Sequence, residues 1–123
     1  MIQPTLLFKV EGYAFKNGEA ETHRESLSAF LREIRESSAR GYDAIDSHTA
    51  PEIKANLYES DFGLFKKEHA GLDQLKRFIA GCMLKVAKYN NPAVDEKKLD
   101  LNFLESWFHI TRSGGYHGPH RHP

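Results

Sequence analysis

A single cysteine, Cys82, is all that this 123-residue chain carries, which excludes an internal disulfide framework and suits a reducing compartment. Net charge is missing as well. The 17 lysines and arginines balance 17 aspartates and glutamates, so no global field exists to hold nucleic acid or an anionic membrane, and any partner must be recognised locally. No apolar run approaches the roughly 20 residues that a membrane-crossing helix needs. The opening MIQPTLLFKV has neither the basic region nor the small-residue cleavage site of a secretory leader. These absences set the expectation of a cytoplasmic protein with no membrane and no nucleic-acid partner. Internal repeats, low-complexity tracts and interdomain linkers are absent too.

What is present suffices for one core. Hydrophobic residues make up 40% of the chain, with eight Phe, five Tyr and one Trp, enough at this length for one domain and too little for two. Residues 1–123 are therefore read as a single domain. TLLFKVEGYAF, bounded by Pro4 and the turn-forming KNGE, predicts an outer strand over about residues 5–11. From Glu19 to Ser38, Leu27, Phe30, Leu31 and Ile34 recur at the i, i+3, i+4, i+7 spacing of an amphipathic helix. Ser37, Ser38 and Gly41 end it. A long irregular connection follows, with a short strand expected near Ala55 to Tyr58.

The second helix is expected from about Lys66 to Tyr89, where Leu72, Leu75, Ile79, Cys82 and Val86 line one stripe that Phe78, Met83 and Leu84 widen. Asn90-Asn91-Pro92 stops it, because proline lacks an amide proton and restricts the residue before it. LDLNFLESWFHITR then reads as extended chain. Leu99, Leu101, Phe103 and Trp107 point one way, with His109 and Thr111, and Leu104, Phe108 and Ile110 point the other. Apolar groups on both faces predict an inner strand.

Four of the seven histidines fall in the last fifteen residues, and two of them form His120-Arg121-His122. Neutral imidazole is a good ligand for iron, zinc, nickel or copper, and two histidines at i and i+2 on a strand project to the same face. His120 and His122 are thus the candidate metal ligands, with His117 able to bend back through Gly118-Pro119. A metal site needs at least one more protein ligand, and usually outer partners that hold each ring in one tautomer. The competing reading is a solvated tail that takes up metal adventitiously. The charged helix RESLSAFLREIRESSAR balances its arginines with glutamates and reads as a solvated face. Cys82, on an apolar stripe, reads as a packing residue rather than a nucleophile.

The last twenty residues, LESWFHITRSGGYHGPHRHP, resemble the entry to the active site of iron(II) and 2-oxoglutarate-dependent oxygenases. The likeness is greatest to a bacterial group of them that joins a tryptophan strand, a glycine pair and an HxHP segment. Prolyl-hydroxylase-like relatives carry a glycine, an aromatic residue and then His-x-Asp, whose histidine and aspartate are two of three iron ligands. Gly114, Tyr116 and Pro119 lead into His120-Arg121-His122 at that spacing. The resemblance makes His120 the first ligand and sets His122 where the relatives have their carboxylate. Either the site is all-histidine, or His122 stands behind it and the carboxylate comes from elsewhere.

Several expectations follow from the resemblance. The fold class it implies is α+β: two long helices packed on an incomplete double-stranded β-helix, or jelly-roll, sheet. The cofactor is Fe(II), the co-substrate is 2-oxoglutarate, and the activity is hydroxylase-type oxidation of an unknown small-molecule or protein substrate. His109 and Tyr116 are the candidate co-substrate contacts, against a competing reading in which His109 is a hydrogen-bonded core histidine and Tyr116 packs beside the glycine turn. The distal histidine and the 2-oxoglutarate-binding arginine or lysine of such enzymes have no counterpart before Pro123, so the chain is expected to be an amino-terminal portion, inactive alone. An open sheet edge would favour a homodimer. The alternative is a non-catalytic protein-binding module with an adventitious histidine-rich tail.

Overall fold

The computed structural model describes residues 12–37 and 57–114; the strand expected over residues 5–11 lies outside them. Helix α1 spans Ala20–Ser37, as the apolar spacing requires. Asn17 starts it. Its side-chain oxygen accepts from the Glu19 amide at 3.1 Å and its carbonyl from the Ala20 amide at 3.3 Å. Glu21 in the first turn and Arg35 in the last complement the helix dipole. Leu27, Phe30, Leu31 and Ile34 are half-buried, while Arg24, Glu25, Arg32, Glu33 and Glu36 stay in solvent.

Helix α2, Ala70–Asn90, begins later than the expected Lys66 because Leu64–Lys66 turn as a 3-10 helix first. His69 then caps it. With an extended backbone, His69 turns its ring back so that Nδ1 accepts from the Gly71 amide at 3.0 Å, satisfying one of the helix's orphan donors. At the other end the Asn91 amide still donates to the Ala87 carbonyl at 2.9 Å, and Pro92 takes the chain away. The two helices meet at the start of α2. The Phe30 ring stacks on His69 with centroids 4.7 Å apart, and a methyl group at Gly71 would stand 3.3 Å from the His23 Cβ. Leu72, 1% exposed, lies at the centre of the small core.

Strands β1, Leu57–Glu59, and β2, His109–Thr111, form a two-stranded antiparallel sheet with Leu57 opposite Thr111, Tyr58 opposite Ile110 and Glu59 opposite His109. Ser60 extends the pairing: its amide donates to the Phe108 carbonyl, and its hydroxyl accepts from the Phe108 amide, both at 3.0 Å. The Asp61 carboxylate then accepts from the Gly63 amide at 2.9 Å and bends the chain. Beyond the bend, Gly63 bridges Ser106 in parallel sense. Three ring pairs close the two segments on each other: Tyr58 with Phe108, Phe62 edge-on to Trp107, and Phe65 edge-on to Phe103. Trp107 is therefore a half-buried packing residue.

The mixed α+β character stands, but the jelly-roll does not. Among the described residues the sheet has two strands of three residues each and no double-stranded β-helix. Among the described residues, the segment read as a long inner strand pairs regularly only over His109–Thr111, with one further bridge at Ser106. Its alternating pattern needs a neighbour along its whole length, and the facing segment is diverted by the bend at Asp61 and the 3-10 turn at Leu64–Lys66. Leu99 is 43% exposed, Leu101 38% and Leu104 83%, where an inner strand would bury them.

Candidate functional site

The register of the small sheet creates its most chemically capable feature. Glu59 and His109 face each other across β1 and β2, so their side chains lie on the same face. The His109 Nε2 lies 2.6 Å from a Glu59 carboxylate oxygen. The Glu59 side chain is only 8% exposed and that of His109 33%. Burying a carboxylate without a donor is costly, and the imidazole supplies a short, charge-assisted bond of the strong kind. An ionised carboxylate only accepts, so against it Nε2 is the protonated nitrogen.

Ser60 sits beside this pair at 1% exposure, and its hydroxyl belongs to the backbone. It donates to the Asp61 carbonyl at 2.8 Å and accepts from the Phe108 amide. It therefore serves the chain reversal rather than exchanging a proton with His109. The same bonds stiffen the support of the pair, since they tie the residue after Glu59 to the residue before His109.

Of the residues singled out from the sequence, His109 is brought to a buried carboxylate. Tyr116, His120 and His122 lie outside the described residues. The chain heads toward them through Gly114, whose φ of 80° is in the left-handed region that favours glycine. Among the described residues no group of three or more His, Cys, Asp or Glu side chains is arranged to hold a metal ion; Glu59 and His109 provide two donor side chains. Glu59 was not legible as a functional residue, because it falls just past the short strand expected near Ala55 to Tyr58, in a stretch read as irregular. Cys82 is half-buried on α2, in keeping with a packing role.

A second feature is a groove of about 250 Å³ between α1 and the start of α2, lined by Leu27, Leu31 and Leu75 and by the polar Asn17, His23 and Gln74. Asn17 and Gln74 bind each other there. No helix among the described residues is long and apolar enough to cross a membrane. In comparisons with known proteins, no family model, no curated protein and no solved structure matches the chain.

Proposed function

We propose that this chain contributes to a cytoplasmic non-haem iron(II)/2-oxoglutarate-dependent oxygenase that hydroxylates a small-molecule or protein substrate. The observation that carries the reading is the SGGYHGPHRHP segment, with His120 at the position of the first iron ligand in the family it resembles. His120 and His122 would hold the metal, and imidazole donors suit iron(II). His109 and Tyr116 would contact the co-substrate. The anchoring of His109 on Glu59 supports that role, because a contact residue must be held in one orientation to be useful. When bound, iron(II) supplies dioxygen activation coupled to decarboxylation of 2-oxoglutarate.

Anaerobic titration of the full chain with Fe(II), with and without 2-oxoglutarate, tests the reading. A visible charge-transfer band is expected only when both are present, and His120→Ala or His122→Ala should abolish it. Metal uptake with no band, or uptake indifferent to both substitutions, overturns it.

A second reading, a protein-binding module, is favoured by apolar side chains left in solvent: Leu104 at 83%, Tyr89 at 71% and Met83 at 52%. Such a surface would take an apolar partner, a second copy of the chain included. Under this reading sedimentation shows association that Leu104→Lys or Met83→Lys weakens and His120→Ala leaves unchanged.

A further inference from the structure

Along α1 the groove changes character. Glu21, Arg24, Leu27 and Leu31 all line it, and steps of three and four residues place them on one side of the helix over about 15 Å. The charges come first and the leucines follow, with Leu75 of α2 as a third apolar wall. A volume of about 250 Å³ falls below the roughly 300–1,000 Å³ of sites that take drug-sized ligands, so a fitting occupant is small. Asn17 and Gln74 in the lining are committed to each other. Glu21 and Arg24 are not held so firmly: their 2.8 Å contact joins side chains 77% and 68% exposed, and an ion pair so open to water contributes little. Each charge can turn to a ligand at small cost.

We propose that this groove binds a free apolar α-amino acid, with the carboxylate on Arg24, the ammonium on Glu21 and the side chain among Leu27, Leu31 and Leu75. Charge complementarity selects this class. A fatty acid would bring its anionic head beside Glu21, and an alkylamine its cationic head beside Arg24, whereas a zwitterion pairs both. The guanidinium fork takes a carboxylate through two parallel N–H bonds. Length agrees as well, since Arg24 and Leu27 are less than one turn, about 5.4 Å, apart along the axis, a separation that one amino-acid side chain spans and a long acyl chain overshoots. His23, also in the lining, can donate or accept and so favours neither head. The site does not depend on the oxygenase reading, which rests on other residues.

Titration of the full chain with leucine, followed by amide NMR, tests it, with isocaproate and isoamylamine as the same side chain lacking the ammonium and the carboxylate. Saturable shifts are expected in α1 and at the start of α2, with both analogues binding at least about tenfold more weakly than leucine. Arg24→Gln and Glu21→Gln, at exposed positions, should keep the helical circular dichroism of the wild type, and each should weaken leucine about tenfold. Against isocaproate, Glu21→Gln should bind no worse than the wild type, because the carboxylate it removes has no ammonium to meet. Shifts that do not saturate, analogues that bind as well as leucine, or an affinity indifferent to either substitution overturn the proposal.

Discussion

Gln74 on α2 and Asn17, just ahead of α1, bind each other's side-chain amides in both directions: the Gln74 amide donates at 2.8 Å and the Asn17 amide at 3.0 Å. Gln74 is 4% exposed, so the pair fastens the entrance of α1 to the second helix from within. Removing Gln74 takes away the acceptor of the Asn17 amide. Gln74→Ala should therefore destabilise the fold by about 1–3 kcal/mol. Urea unfolding followed by circular dichroism measures it, and a midpoint equal to that of the wild type would contradict the role.

Leu72 and Leu104 make a matched pair for testing where the core lies. Leu72 is 1% exposed and Leu104 83%. Leu72→Ala should cost about 2–5 kcal/mol, whereas Leu104→Ala should stay within about 0.5 kcal/mol of the wild type. Equal losses in the same unfolding assay would place Leu104 in a core that the structure does not show.

The His69 ring works on two neighbours at once, accepting from the Gly71 amide and stacking on Phe30. His69→Ala removes both and should lower stability by at least about 1 kcal/mol, the usual worth of an N-cap. His69→Asn keeps an acceptor without the stacked ring, so it should fall between alanine and the wild type in thermal unfolding.

Ser60→Ala deletes the acceptor of the Phe108 amide. The expected cost is about 1–3 kcal/mol for an amide left unsatisfied. Native-state hydrogen exchange gives a sharper readout: the Phe108 amide should lose protection in the variant while amides in the middle of α1 keep theirs relative to global stability.

The Lys76 ammonium, hydrogen-bonded to Asp73 at 2.9 Å, holds the Asp73 carboxyl below its ordinary 3.8. A carboxyl lowered in the folded state stabilises the fold fully above its unfolded value, and that contribution is lost as pH falls through the folded value. The stability difference between wild type and Asp73→Asn should thus be constant above about pH 5 and shrink on further acidification. A difference that grows toward low pH has the wrong sign.

The helices were readable because their signals are local. Leu27, Phe30, Leu31 and Ile34 announce α1 within eight residues, and Pro92 marks the end of α2 by what its own nitrogen lacks. The start of α2 was less readable, since a histidine is an uncommon cap and His69 serves only because its ring turns back on Gly71. The extended pattern from Leu99 to Arg112 misled for a related reason. Alternation describes a strand only if a partner runs beside it, and among the described residues the bend at Asp61 withholds that partner from all but a few positions.

Periodicity, punctuation and composition were thus enough to establish two amphipathic helices in a mixed α+β chain with no membrane-crossing helix among the described residues, while His109 was marked as a residue that could act only by the family resemblance. They could not supply Glu59. That carboxylate meets His109 across 50 residues of sequence, through a strand register set by the Ser60 bonds and the ring pairs around it. Helical order arises from neighbours along the chain, but a buried acid and its imidazole find each other only when distant segments are brought into register.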